Sequence, residues 1–100
     1  MAKDVIIAVD AMGGDGSPKK IIDGIVHYNH TNKNTFYQIF GCKDEIDKFI
    51  PKNFSKDYYE IIHTTDKVEG TDTPLGAAKR GKNTSMWLAI DSVKNKKADV

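Results

Sequence analysis

The stretch VIIAVDAMGGDGSP, residues 5–18, decides the fold of this chain. Residues 5–9 are continuously apolar and mostly β-branched, which predicts a strand covered on both faces in a parallel sheet. Residues 11–16 are rich in glycine and predict a turn, and Ser17 and Pro18 then predict the N-cap and first residue of a helix. A strand, a glycine turn and a helix in this order predict the start of an open α/β sheet.

The sequence beyond this stretch continues the alternation of helices and strands. Apolar residues at helical spacing predict that the first helix buries Ile21, Ile22, Ile25 and Val26. The elements predicted after it are a strand at 35–40, a helix at 43–50, a strand at 58–62, a loop at 63–73, a helix at 74–82 and a longer helix capped by Thr84 or Ser85.

The longer helix completes the predicted architecture. Residues 98–100 follow it and are typical of the approach to a fourth strand. The predicted fold is an open three-layer α/β/α sheet, mostly parallel, and residues 1–100 are predicted to be the N-terminal part of a single larger α/β domain. The residues predicted to form the buried face of this helix are Met86, Ala89, Ile90 and Val93.

Composition restricts the classes of function. The net charge is +1 and 29% of the residues are charged, with mixed sign, which does not favour nucleic-acid binding. The one cysteine, Cys42, excludes an intramolecular disulfide framework and is typical of a reducing compartment. The apolar run at 5–9 is too short for a signal peptide or a membrane span, so the sequence predicts a cytoplasmic protein.

The glycine turn is the candidate ligand site, because open α/β sheets bind ligands beyond the carboxyl ends of their strands. Gly13, Gly14 and Gly16 lack a Cβ, so their N–H groups can approach an anion, and the following helix adds its positive dipole end. The turn is not a dinucleotide fingerprint, which requires glycine where Lys19 stands, nor a Walker A loop. A turn that uses glycine for geometry alone remains an alternative.

Three segments resemble one enzyme family. The hexapeptide DAMGGD at 10–15, the segment RGKNTSM at 80–86 and the segment KADV at 97–100 occur in order. Together they resemble the N-terminal third of the bacterial phosphate acyltransferases of phospholipid synthesis (acyl-ACP:phosphate acyltransferase, PlsX). Departures from the family pattern are Gly16 and Ser17 after the hexapeptide, where the family more often has Asn-Ala before the proline, and Gly81 where a second basic residue is common.

The resemblance implies that the protein transfers a fatty acyl group from acyl carrier protein to inorganic phosphate, giving acyl phosphate. Phosphate is already anionic and a thiol is a fair leaving group, so the site needs charge neutralisation and alignment, with no metal and no cofactor. The 100-residue chain alone is expected to be inactive.

Roles for seven residues follow from this resemblance. The N–H groups of Gly13 and Gly14 are expected to line the phosphate site, and Ser85 is expected to add a donor. The other four are two catalytic cations and two carboxylates that hold the loop or orient those cations: Arg80, Lys82, Asp10 and Asp15.

The expected partners are acyl carrier protein, inorganic phosphate and a second copy of the chain, with no nucleic acid. Peripheral contact with the inner membrane is a further expectation for the cytoplasmic protein. The lysines at 94–97 are interpreted either as a solvated helix end or as a docking point for acidic carrier protein or anionic lipid.

Two other functions compete with the acyltransferase. Residues 13–17, GGDGS, also match the nucleotide-binding loop of lipid and NAD kinases, although in those enzymes the loop follows several strands. An inactive anion-binding fragment is the non-enzymatic alternative. Cys42 is interpreted as structural, and the histidines have no second ligand at metal spacing.

Overall fold

The computed structural model describes residues 4–65 and 84–100. Its sheet has three parallel strands in the order β1-β2-β3. This is an open α/β fold, as the sequence predicts. The strands and helices are β1 (Val5–Asp10), α1 (Lys19–Asn29), β2 (Thr35–Gly41), α2 (Lys43–Asp47), β3 (Tyr59–His63) and α3 (Ser85–Lys94), with a 3₁₀ turn at Lys56–Tyr58.

One face of the sheet carries a core of large apolar side chains. Ile22 and Ile25 of α1 are buried against this face, which confirms the inward side predicted for the helix. The register pairs Ile7 with Tyr37, and side chains that alternate along each strand keep such pairs on one face. The buried members of this core are Ala11, Met12, Ile22, Ile25, Tyr37, Ile39, Ile46, Phe54 and Tyr59.

The opposite face packs against α3 through small and polar residues. Ser85, Ala89 and Ser92 are the buried residues of this helix. The prediction for its inward face was therefore right for Ala89 and wrong for the other three positions. The physical reason is that polar residues of β1 and β2, described below, meet this helix. The three apolar residues that turn outward, with their exposed fractions, are Met86 at 39%, Ile90 at 60% and Val93 at 37%.

Several predicted boundaries differ from the structure. The helix predicted at 43–50 ends at Asp47, and the third strand begins one residue later than predicted because a 3₁₀ turn precedes it. The loop predicted at 63–73 starts after His63, which belongs to β3. Its part from residue 66 onward and the helix predicted at 74–82 lie outside the described residues.

The segment after α3 returns to the free edge of β1. The N–H of Asp99 donates to the carbonyl of Ile6 at 2.7 Å, and the N–H of Ala8 donates to the carbonyl of Val100 at 2.7 Å. These bonds agree with the predicted approach to a fourth strand. No helix within residues 4–65 and 84–100 has the length and apolar character that crossing a bilayer requires.

Candidate functional site

Asp10, the last residue of β1, joins two separate parts of the chain. Its Oδ1 accepts hydrogen bonds from the N–H of Met12 at 3.0 Å and the N–H of Gly13 at 3.1 Å. The same oxygen accepts the hydroxyl of Ser85, the first residue of α3, at 2.6 Å. The carboxylate therefore fixes the loop after β1 and the start of α3 to one point at the carboxyl edge of the sheet.

The loop after β1 is seated on the sheet by its first two residues. Ala11 is fully buried, and its N–H donates to the carbonyl of Phe40 at 3.0 Å. Met12 lies over Gly41, where an added Cβ would come within 2.7 Å of the methionine Cγ. A side chain at position 41 would therefore require the Met12 side chain to shift.

The glycines of the loop have different physical roles. A Cβ at Gly13 would lie 2.5 Å from Oδ2 of Asp10, so a side chain here would require the carboxylate to shift. Gly14 and Gly16 have φ values of +87° and +78°, in the left-handed region that favours glycine. The turn thus needs glycine at 13 for close approach and at 14 and 16 for backbone conformation.

Ser17 does not cap α1, contrary to the prediction. Pro18 is the N-cap residue and makes no side-chain capping bond. The hydroxyl of Ser17 instead donates backward to the carbonyl of Gly13 at 2.5 Å. Since the hydroxyl proton is used within the loop, Ser17 stabilises the turn rather than the first turn of the helix.

The start of α3 forms the second wall of the site. Thr84 is the N-cap, as predicted, and its Oγ1 accepts the N–H of Trp87 at 3.1 Å. Thr84 is 1% exposed and Ser85 is fully buried. Capping and burial together hold the helix start firmly beside Asp10.

The residues predicted to donate hydrogen bonds or to carry charge at the site differ in whether they are already bonded within the protein. The Gly13 N–H and the Ser85 hydroxyl both donate to Asp10, so neither is free to donate to an anion in this structure. For the exposed Gly14, no acceptor of the N–H is recorded among residues 4–65 and 84–100. Asp15 is also exposed. Contacts between these residues and phosphate stay a prediction.

Arg80 and Lys82, the two predicted catalytic cations, lie outside the described residues. The nearby Lys20 is described, and its aliphatic stem packs against Gly16, with Cδ 3.1 Å from the position of an added Cβ. Lys19 pairs with Asp23 at 2.7 Å on the helix surface. The first turn of α1 therefore carries two lysines, one of which is paired.

Sequence reasoning missed the contacts of two polar residues of the sheet. Gln38, in the middle of β2, accepts the hydroxyl of Ser92 and donates to the carbonyl of Lys97 at 3.2 Å. A glutamine inside an apolar strand was the available signal, because a half-buried amide that faces a helix needs partners. His63 accepts the N–H of Lys43 through Nδ1 at 3.0 Å, a contact that no local pattern indicates.

Cys42 precedes α2 and is a free, half-buried thiol. It occupies the N-cap position of that helix without a side-chain capping bond. In the described part of the chain, no group of three or more His, Cys, Asp or Glu side chains is arranged to hold a metal ion.

A parallel α/β sheet with a glycine-rich turn after its first strand is typical of open α/β proteins, in which ligands bind at the carboxyl edge of the sheet. Comparison with known proteins gives a narrower assignment. Residues 5–100 match the family model described as "Fatty acid synthesis protein". The chain belongs to this family.

Three relatives of the chain carry the same name. A phosphate acyltransferase of Pelagibacter ubique is 64% identical over the whole chain, which covers 30% of that protein. Phosphate acyltransferases of Lactobacillus johnsonii and Enterococcus faecalis are 39% and 41% identical over 93% of the chain, covering 28% and 27% of those proteins. These findings confirm the resemblance. The chain spans less than a third of the length of these relatives.

Proposed function

We propose that this protein transfers a fatty acyl group from acyl carrier protein to inorganic phosphate and so supplies acyl phosphate for phospholipid synthesis. The observation that carries the proposal is the glycine turn at the carboxyl edge of the sheet, fixed by Asp10 and with Gly14 exposed, in a chain of this family. Relatives named phosphate acyltransferase support the class of reaction.

The reaction makes simple demands on the site. A phosphate oxygen attacks the thioester carbonyl carbon, a C–O bond forms, the C–S bond breaks and the thiolate leaves and takes up a proton. The attacking phosphate is an anion and the attack develops further negative charge on the carbonyl oxygen, so cations and N–H groups must offset this charge. Arg80 and Lys82 are the proposed cations, and the N–H of Gly14 is the proposed loop donor.

The partners belong to the same proposal. Acyl carrier protein is the donor, and the exposed lysines at 94, 96 and 97 support an acidic partner at the end of α3. A homodimer in the cytoplasm, in peripheral contact with the inner membrane, completes the proposed setting.

The test is phosphate-dependent loss of acyl thioester, measured with the protein expressed from its complete gene. Turnover that needs phosphate and acyl carrier protein thioester, but no ATP, is the expected result. Turnover that needs ATP would support the kinase alternative, and absence of both activities would leave the anion-binding fragment.

Arg80→Ala tests the assigned cation. We expect the KM for phosphate to rise by about tenfold or more, since one charge-assisted hydrogen bond is lost. Lys52→Ala is the control, because this exposed lysine lies away from the loop in sequence and is not assigned to the site. Equal phosphate kinetics in both variants would remove Arg80 from the site.

A further inference from the structure

Three donors from two distant segments converge on one oxygen, Asp10 Oδ1. Two of them are loop N–H groups, and the third is the Ser85 hydroxyl, 75 residues away in sequence. Hydrogen bonds to an ionised acceptor are stronger than those between neutral groups. The carboxylate is therefore the group that joins the loop to α3.

The Ser85 hydroxyl has a single proton, and that proton is donated to Asp10. Ser85 is also fully buried. A ligand at the carboxyl edge therefore cannot receive this proton without breaking the contact with Asp10. The Gly13 N–H is committed to the same oxygen in the same way.

The requirement for glycine at position 13 comes from the carboxylate as well. A methyl group there would come within 2.5 Å of Asp10 Oδ2, so a side chain at 13 would force the Asp10 carboxylate out of its present position. Asp10, Gly13 and Ser85 thus form one unit, which we call the Asp10 clamp.

We propose that Asp10 is a positioning residue, and that the Asp10 clamp sets the place of the Gly14 N–H relative to the start of α3. This inference rests on the proposed function, because the ligand positioned is inorganic phosphate. It gives the three clamp residues an indirect role: they hold the walls of the site, and phosphate contacts the loop beyond them. A carboxylate with its charge offset by three donors also repels the anion less than a free one.

The clamp predicts a characteristic pattern in the kinetics of the full-length enzyme. Asp10→Asn and Ser85→Ala each weaken the same link, so each raises the KM for phosphate by about tenfold, and the double variant is no worse than the more affected single variant. The KM for the acyl thioester is expected to change much less, because the proposal assigns the clamp to the phosphate side of the site alone.

Ser92→Ala is the matched control. Ser92 is a second buried serine on the same face of α3, and it donates to Gln38 instead of Asp10. A loss of helix packing alone would affect Ser85→Ala and Ser92→Ala alike. The proposal expects the KM for phosphate to stay at the parent value in Ser92→Ala.

Two outcomes would overturn the proposal. Independent, multiplicative effects of Asp10→Asn and Ser85→Ala would mean that each residue contacts phosphate separately. A loss confined to kcat, with an unchanged KM for phosphate, would mean that Asp10 acts in the chemical step.

Hydrogen exchange separates failure of the clamp from failure of the proposed function. The amides of Met12 and Gly13 donate to Asp10 without any ligand, so Asp10→Asn should speed their exchange by about tenfold whether or not the enzyme uses phosphate. Unchanged exchange would refute the clamp. Faster exchange in an enzyme without phosphate-dependent turnover would support the clamp and reject the function.

Discussion

The two faces of the sheet are built on different principles. The face under α1 and α2 buries large apolar side chains such as Ile22 and Ile39, both fully buried. The face under α3 is joined to its helix by hydrogen bonds, from Ser85 to Asp10 and from Ser92 to Gln38. The first face supplies most of the apolar burial, which is non-directional, whereas the second uses directional contacts that fix the position of one helix.

The difference between the two faces shows which of them positions the residues of the candidate site. Asp10 belongs to the polar face, yet its oxygen also holds the loop that continues toward α1. The polar face therefore determines how the glycine turn and the start of α3 stand relative to each other, while the apolar face keeps the sheet folded.

The largest expected effect comes from the apolar face. Ile39→Ala should lower the free energy of unfolding by about 2–5 kcal/mol, because it leaves a cavity in the core. Urea denaturation of the parent and the variant measures this change. Ile90→Ala, at a residue that is 60% exposed, should change it by less than about 0.5 kcal/mol. Similar losses in the two variants would contradict the comparison between the faces.

An intermediate effect is expected on the polar face. Gln38→Ala removes the acceptor of the buried Ser92 hydroxyl and should lower the free energy of unfolding by about 1–3 kcal/mol. Ser92→Ala in the same background should recover part of this loss, since no donor is then left without an acceptor. A double-mutant cycle measured in urea tests the coupling, and additive losses would show that the two residues do not interact.

The smallest effect has the opposite sign. No partner for the buried Tyr37 hydroxyl is found among the described residues, and Tyr37 is 3% exposed. Tyr37→Phe should raise the free energy of unfolding by about 1 kcal/mol, because the buried hydroxyl is removed. Tyr28→Phe, at an exposed tyrosine, should leave the free energy of unfolding unchanged. A clear loss of stability in Tyr37→Phe would show that the hydroxyl is bonded.

The pH dependence sharpens the Tyr37 prediction. Burial, and to a smaller extent the neighbouring Tyr28, raises the pKa of Tyr37 above its ordinary value of 10.0. The folded state then holds this proton more tightly than the unfolded state, so stability is lost as the pH rises from that ordinary value through the raised pKa. Tyr37→Phe should reduce this alkaline loss in urea titrations above pH 10.0.

Periodicity predicted the apolar face well and the polar face poorly. The stripe of Ile22 and Ile25 and the apolar strand before Asp10 were sufficient to place α1 and β1. In α3 the same logic chose Ile90 and Val93 as buried, because a hydrophobic pattern cannot indicate that a helix packs through serines onto Asp10 and Gln38.

The position of the glycine turn at the carboxyl edge of the sheet was predicted from the sequence, but its hydrogen bonds were not. The glycine turn and Asp10 were found from the sequence, since such turns follow the first strand of open sheets. The contact from Ser85 to Asp10 joins residues 75 positions apart and depends on how α3 crosses the sheet. Local sequence patterns do not indicate contacts between residues so far apart in the chain. The sequence therefore predicted Ser85 as a free donor, whereas in the structure its proton is donated to Asp10.

The contact between Met12 and Gly41 links the ligand loop to the neighbouring strand. The methionine side chain occupies the volume that a side chain at position 41 would need. Positions 12 and 41 are therefore expected to covary in size among relatives. A larger residue at one position should be accompanied by a smaller residue at the other. The size of the last residue of β2 would in this way restrict the conformation of the loop after β1, although β2 contributes no residue to that loop.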